Sequence, residues 1–129
     1  MARILVIDDD WQVRGAIRRI LERAGHTVLD AADGEMGIRA HREWPADLII
    51  TDIFMPERDG IETIQQLRGE FPGVRIIAIS GGDQTRTMDL RKDAELLGAS
   101  RTLRKPFELT ELLKAVSELL GEPRPGSSL

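Results

Sequence analysis

A run of large apolar residues that ends abruptly in one carboxylate constrains this chain more than any other stretch. Residues 48–51 read Leu-Ile-Ile-Thr, Asp52 follows at once, and Met55-Pro56 stand close behind it. An unbroken run of this kind is typical of a strand that is covered on both faces, as in a parallel sheet. Asp52 would then lie at the carboxyl end of that strand, where open α/β sheets bind ligands. A strand-ending aspartate can equally start a turn, so the other strands must decide between the two interpretations.

Short apolar runs alternate with segments of helical periodicity along the whole chain. The predicted strands lie near residues 3–7, 27–29, 48–51, 74–79 and 102–103, and the predicted helices near residues 11–24, 33–44, 61–67, 88–97 and 109–120. Asp10 stands at the N-cap position of the first helix, and Gly25 follows that helix as a left-handed stop. Five strands alternating with five helices predict right-handed βαβ units, and therefore an α/β fold with a doubly wound parallel sheet.

Length and composition restrict the classes of protein that remain. The chain has 129 residues, enough for one compact domain, which we place at residues 1–120, and its Gly-, Pro- and Ser-rich end, residues 121–129, is predicted to be disordered. The absence of cysteine excludes disulfides and thiolate metal sites. A net charge of −4 does not suggest direct contact with nucleic acid. No apolar run approaches the length of a membrane span, so we expect a cytoplasmic protein.

Four of the predicted strands end in side chains that can take part in chemistry. The first strand ends at Asp8 and Asp9, the third at Asp52, the fourth at Ser80 and the fifth at Lys105. Because the carboxyl ends of parallel strands lie at one edge of a sheet, these side chains should converge although they are far apart in the sequence.

Such a cluster suits a divalent cation and a phosphoryl group. Crowded carboxylates repel one another, and Mg²⁺ relieves that repulsion because it prefers oxygen ligands. The metal and the lysine would neutralise charge on a transferring phosphoryl group, and a carboxylate could act as the nucleophile. The Ser80 hydroxyl and the amides near Gly81 could hydrogen-bond phosphoryl oxygens, since glycine lets the backbone approach closely.

Taken in order, these motifs resemble the receiver domain of two-component response regulators, of which the chemotaxis regulator is a familiar single-domain member. The motifs that carry the likeness are the apolar strand into Asp8-Asp9, Asp52 with Met55-Pro56, Ser80-Gly81, and Lys105-Pro106-Phe107. The likeness covers about residues 3–120 and implies a flavodoxin-like sheet with the strand order 2-1-3-4-5. Nothing in the chain resembles an output domain. Met1 and the loose tail favour an intact small protein, although a receiver cut from a longer regulator fits the pattern as well.

The resemblance implies a site for Mg²⁺ or Mn²⁺. Asp9 would bind the metal directly, and Asp8 mostly through water. Asp52 and the backbone carbonyl of Phe54 would supply further oxygen ligands.

The resemblance also implies that Asp52 accepts a phosphoryl group from a sensor histidine kinase or a phosphotransfer protein. Lys105 would pair with Asp52 at rest and with the phosphoryl group afterwards, while Ser80 would turn toward a phosphoryl oxygen. The surface formed by the fourth helix, the fifth strand and the fifth helix would then change and signal to a protein target, with dimer formation possible. The chain would catalyse its own phosphorylation and dephosphorylation but would not be an enzyme that turns over a metabolite.

Three features depart from the family pattern. Thr102 stands three residues before the lysine, where an aromatic residue is usual, so an inward-turning aromatic switch is unavailable in its usual form. The interval from Ser80 to Lys105 is a few residues longer than in the chemotaxis regulator. Phe54 stands two residues after Asp52, at a position that faces the attacking water, and our hypothesis is that its bulk slows hydrolysis of an acyl phosphate.

Three other functions deserve comparison with this interpretation. A receiver-like interaction module that is never phosphorylated is the main alternative, although the complete set of site residues argues against it. A Mg²⁺-dependent aspartyl phosphatase would ordinarily have a second acid where Phe54 stands, and a cap that this chain has no room for. A flavodoxin-like cofactor binder would need a glycine-rich phosphate loop after the first strand, where three acids would repel phosphate.

A few residues outside these motifs also have expected positions. His26 and His41 have no acids or histidines at ligand spacing, and both are expected at the surface. Met36 and Met88 are expected in the core.

Overall fold

The computed structural model of the chain describes residues 2–53, 60–80, 98–105 and 107–121. In chain order the described elements are β1 (Arg3–Ile7), α1 (Trp11–Arg23), β2 (Thr27–Ala31), α2 (Gly34–Glu43), β3 (Leu48–Asp52), α3 (Gly60–Glu70), β4 (Ile76–Ser80), β5 (Arg101–Arg104) and α4 (Leu109–Leu120). The helix predicted over residues 88–97 and the tail from residue 122 onward lie outside the described residues. No helix in the described part of the chain is long and apolar enough to cross a membrane.

The strands form one parallel sheet in the order β2-β1-β3-β4-β5. The register pairs Ile7 with Thr51, Asp52 with Ile79, and Ser80 with Arg104. The strands β1, β3, β4 and β5 therefore end side by side, at what we call the carboxyl edge of the sheet. This confirms the predicted doubly wound fold and its strand order.

The two central strands are buried along their whole length, as the unbroken apolar runs predict. Every residue of β3 and β4 is buried. In the described part of the chain, two helices pack on each face of the sheet, and each contributes an apolar stripe. Ile38 of α2 and Leu67 of α3 pack on one face, and Leu21 of α1 and Leu112 of α4 pack on the other.

Local signals at the ends of α1 act as predicted. The Asp10 carboxylate accepts hydrogen bonds from the amides of Gln12 and Val13, which satisfies donors that the first helical turn leaves free. Gly25 follows the helix with a φ of +97°, a conformation that glycine adopts without steric cost. These two residues fix where α1 begins and ends beside β1.

Several expectations away from the strand ends were wrong. His26 and His41 are buried rather than at the surface, and Met36 is half exposed rather than in the core. His41 is buried because Phe71 packs edge-on against its ring at a centroid distance of 4.4 Å, and its Nδ1 accepts a hydrogen bond from the Ala46 amide at 3.1 Å. Phe71 follows α3 and is 30 residues from the histidine, so the sequence around His41 does not reveal this partner.

Candidate functional site

Three carboxylates meet at the carboxyl edge of the sheet. Asp8 directly follows β1, Asp9 comes next, and Asp52 ends the neighbouring strand β3. One carboxylate oxygen from each lies within 4.8 Å of the other two. Asp8 and Asp52 are buried, whereas Asp9 is exposed, so the cluster opens to solvent on one side. The predicted convergence of these three residues is thus observed.

Lys105 brings a positive charge to the same cluster from the far side of β4. Its Nζ lies 3.4 Å from Asp52 Oδ2 and 3.6 Å from Asp8 Oδ2. The Lys105 amide donates a hydrogen bond to the carbonyl of Ser80 at 2.9 Å, which holds the residue against the end of β4. One ammonium group therefore serves two buried carboxylates that lie on different strands.

Of the remaining predicted site residues, one is described by the structure and two are not. Ser80 is the last residue of β4, is buried, and lies between the strands that carry Asp52 and Lys105. Gly81 and Phe54 lie outside the described residues, as does Pro106. The structure thus brings together Asp8, Asp9, Asp52 and Lys105, with Ser80 on the intervening strand.

The environment of Asp8 is electrostatically unfavourable for its charged form. The pKa of Asp8 is raised to about 6: burial is the main cause and the negative charge of Asp52 adds to it, while a hydrogen bond from the Asp10 amide and the charge of Lys105 act in the opposite direction. Asp8 Oδ2 is buried, and no hydrogen-bond donor in the described part of the chain reaches it. Within the described residues, its favourable neighbour is the Lys105 ammonium group at 3.6 Å.

The residues present fit a hard divalent cation. The donor set consists of carboxylate oxygens, which Mg²⁺ prefers, and one of those oxygens is buried and receives no hydrogen bond from any described residue. A cation would offset the repulsion between Asp8 and Asp52, which raises the pKa of Asp8. Beside such a cation and Lys105, the carboxylate of Asp52 has the surroundings of a nucleophile toward an anionic group.

The sequence interpretation missed one residue that contacts this site. Arg14 lies in the first turns of α1, and its Nη1 donates a hydrogen bond to the backbone carbonyl of Asp8 at 2.6 Å. The available signal was an arginine one helical turn after the N-cap Asp10, on the side of α1 that carries its apolar residues. Charge on a helix face is usually solvated, so that signal is weak from sequence alone.

Comparison with known proteins gives one consistent result. The family model described as response regulator receiver domain matches residues 4–117. Protein CcdB of Bacillus subtilis is 36% identical over 122 residues, which are 94% of this chain and 99% of that protein. Response regulator MprA of Mycobacterium tuberculosis is 37% identical over 123 residues, which are 95% of this chain but only 52% of MprA. The chain therefore spans nearly all of one relative and about half of another.

A solved structure gives the same result for the fold. The crystal structure of a response regulator receiver domain protein from Clostridium thermocellum matches with a TM-score of 0.85 and 30% sequence identity, covering 94% of this chain and 95% of that chain. The residues matched by the family model, 4–117, include the strand ends that carry the acidic cluster. By sequence and by fold, this chain belongs to the receiver domain family of two-component response regulators.

Proposed function

We propose that this receiver domain is a phosphorelay switch in which Asp52 accepts a phosphoryl group in a Mg²⁺-dependent reaction. The observation that carries the proposal is the contact of Lys105 Nζ with both Asp52 and Asp8, within a cluster of three carboxylates. A purely structural salt bridge would need one carboxylate for one lysine. Among the described residues, Lys105 lies 3.4 Å from Asp52 and 3.6 Å from Asp8, and such a cluster of carboxylates beside a lysine suits a cation and then a phosphoryl group.

The residues that would hold Mg²⁺ or Mn²⁺ are Asp8, Asp9 and Asp52, with the carbonyl of Phe54 proposed as a further ligand. When bound, the ion would neutralise negative charge on the carboxylates and on the incoming phosphoryl oxygens. Asp9 is exposed and can bind a partly hydrated ion from solvent, whereas Asp8 lies behind it.

Asp52 is the proposed phosphoacceptor. One of its carboxylate oxygens forms a bond to phosphorus while the P–N bond to the histidine of a kinase or phosphotransfer protein breaks, and the electron pair of that bond stays with the imidazole nitrogen. Lys105 can move with the charge, because its contacts of 3.4 and 3.6 Å are longer than firm hydrogen bonds. Ser80 and the amide of Gly81 are proposed to hydrogen-bond the transferred group.

The output surface is proposed to include β5 and α4, together with the helix predicted over residues 88–97. Thr102 lies half-buried in β5 beside Ala78, so a small hydroxyl side chain stands where the family usually has a ring. The signal would then pass to a protein target, or to a second copy of the chain, through movements other than the turning of that ring. Such a switch turns over no metabolite and would work in the cytoplasm, where its kinase presents the phosphohistidine.

Phosphorylation is tested directly by intact mass and by tryptophan fluorescence. Trp11 is 71% exposed and lies two residues after Asp9, whereas Trp44 contacts Arg3 at the opposite end of β1, so a Trp44→Phe background assigns the signal to Trp11. We expect Mg²⁺ with a small-molecule phosphodonor to produce a single adduct, and Mg²⁺ with beryllofluoride to change the fluorescence. Both responses should be lost in Asp52→Asn.

Other results would favour the alternatives. Absence of any adduct would favour an interaction module that is never phosphorylated, and steady phosphate release without a lasting adduct would favour an aspartyl phosphatase. The effect of Phe54 on the phosphoryl lifetime stays a prediction: Phe54→Asn should shorten the lifetime of the adduct, and an unchanged lifetime would contradict the idea.

A further inference from the structure

We propose that Arg14 is a positioning residue that fixes the backbone at Asp8 and thereby raises the affinity of the acidic cluster for divalent cations. The second half of this inference rests on the proposed function, because it assumes that the cluster binds Mg²⁺. The first half does not, since it concerns hydrogen bonds that exist without a metal.

Arg14 connects two different parts of the molecule. Its Nη1 donates to the Asp8 carbonyl at 2.6 Å, and its Nε lies 3.7 Å from Asp30 Oδ1. The side chain is only 19% exposed, so water competes weakly for these contacts. A planar guanidinium can serve a carbonyl and a carboxylate at once in a fixed geometry, which a lysine ammonium on a flexible stem cannot reproduce.

With Arg14 in place, Asp8 is held by hydrogen bonds from three directions. Its amide donates to the carbonyl of Ala31 in β2 at 3.1 Å, its carbonyl accepts from Arg14, and its Oδ1 accepts from the Asp10 amide at 2.9 Å. The remaining oxygen, Oδ2, is the buried one that receives no hydrogen bond from the described residues. The arrangement therefore leaves one oxygen of Asp8 available and restricts where it can point.

A second arginine supports Arg14 and supplies a matched control. Arg18 Nη1 donates to Asp30 Oδ2 at 3.1 Å, and its Nε donates to Glu22 at 3.2 Å. Arg18 thus shares Asp30 with Arg14, one turn further along α1, but its contacts point away from the cluster. Loss of Arg18 should affect the helix and β2, whereas loss of Arg14 should also release the carbonyl of Asp8.

The metal-free part is tested by amide hydrogen exchange, measured by NMR in the presence of a chelator. We expect Arg14→Ala to raise the exchange rates of the Asp8 and Asp10 amides about tenfold relative to the Ile49 amide in β3, since a hydrogen bond to a charged group is lost. Arg18→Ala should change the same ratio less than about twofold. Equal ratios in the two variants would overturn the positioning role, and normalising to Ile49 removes any general loss of stability.

The metal-dependent part is tested by MgCl₂ titration, with Trp11 fluorescence in the Trp44→Phe background as the readout. Arg14→Ala should weaken Mg²⁺ binding about tenfold, as is common when a residue that orients a metal ligand is lost, and Arg18→Ala should change it less than about twofold. Equal affinities in the two variants would overturn the link to affinity. If the parent protein binds no Mg²⁺, the proposed function fails and so does that link, while the exchange ratios still decide whether Arg14 holds Asp8.

Discussion

Polar groups have different surroundings at the carboxyl edge of the sheet and at its opposite end, which we call the amino edge. At the carboxyl edge, Asp8 and Asp52 are buried close together and share one lysine. At the amino edge, where β1 and β3 begin, Asp47 Oδ2 accepts a hydrogen bond from the Arg3 amide at 2.8 Å, and Arg3 lies over the ring of Trp44. The Asp47 carboxylate is thus paired with a backbone amide, whereas at the carboxyl edge the described residues leave Asp8 Oδ2 buried and without a hydrogen bond. This comparison indicates that the amino edge stabilises the fold, whereas the carboxyl edge is suited to binding a ligand.

The largest expected effect is a gain of stability from removing a site residue. Asp8→Asn should raise the free energy of unfolding of the metal-free protein at pH 7 by on the order of 2 kcal/mol, because burial and the charge of Asp52 disfavour the Asp8 carboxylate. The folded-state pKa of about 6 lies above the ordinary aspartate value of 3.8, so the penalty is absent below about pH 4 and fully present above about pH 6. Urea unfolding of both proteins in the presence of a chelator, across pH 4–7, measures this difference in unfolding free energy.

A substitution at the amino edge serves as a control, because it is expected to lower stability rather than raise it. Asp47→Ala should lower the free energy of unfolding by about 1 kcal/mol, since the Arg3 amide loses its acceptor. Mg²⁺ should stabilise the parent protein and Asp47→Ala but have little effect on Asp8→Asn. A destabilised Asp8→Asn protein would remove the distinction between the two edges.

Packing next to the carboxyl edge can be tested with two helical glycines. A Cβ at Gly37 in α2 would collide with the side chain of Ile7, the residue before Asp8, whereas a Cβ at Gly69 in α3 would meet nothing within 4 Å. Gly37→Ala should therefore lower the free energy of unfolding by about 1–2 kcal/mol. Gly69→Ala should raise it by about 0.5 kcal/mol, because alanine is the better helix former. Thermal unfolding compares the two, and equal shifts would show that α2 can move away from β1.

His41 gives the amino edge its own pH dependence, with a sign opposite to that of Asp8. Burial lowers the pKa of His41 below its ordinary value of 6.5. The contribution of neutral His41 is therefore present above about pH 6.5 and is lost as the pH falls below it. The difference in unfolding free energy between the parent protein and His41→Gln should shrink between pH 7 and pH 5. A difference that stays constant would mean that the histidine is not held in its neutral form.

The smallest effect is expected for an ion pair at the surface near the amino edge. Arg42 Nε and Nη2 donate to the two carboxylate oxygens of Glu70 at 2.9 and 2.7 Å. The pKa of Glu70 is lowered to about 2, mainly by these hydrogen bonds and also by one from Gln66. The pair is exposed, so solvent screens most of its energy. Glu70→Gln should lower stability less than Asp47→Ala in urea unfolding at pH 7. A larger loss of stability would mean that exposed ion pairs stabilise the amino edge as much as hydrogen bonds from side chains to the backbone do.

Prediction from sequence succeeded where the signal is local. The run Leu48 to Thr51 needs cover on both faces, so its burial and the placement of Asp52 follow from the residues themselves. Asp10 and Gly25 mark the ends of α1 for equally local reasons, since one supplies an acceptor and the other a positive φ. The convergence of the site residues needed one further step, the parallel order of the strands.

Prediction from sequence failed where the burial or the contacts of a residue depend on a partner that is distant in the sequence. His41 was expected at the surface, yet Phe71 of the segment after α3 buries it. Arg14 was passed over, because nothing near it in the chain reveals that its guanidinium reaches the Asp8 carbonyl and Asp30 together.

By itself, the amino-acid sequence determined the order of the elements, the parallel sheet and the residues that reach its carboxyl edge, because hydrophobic periodicity and turn residues act over a few positions. Only the tertiary structure decided that one buried oxygen of Asp8 receives no hydrogen bond from the described residues, that Lys105 contacts two carboxylates, and that Arg14 donates a hydrogen bond to the Asp8 carbonyl. Those properties depend on distances of 2.6 to 4.8 Å between residues on different strands and helices. Such distances are set by the packing of the elements, and the local sequence pattern does not specify them.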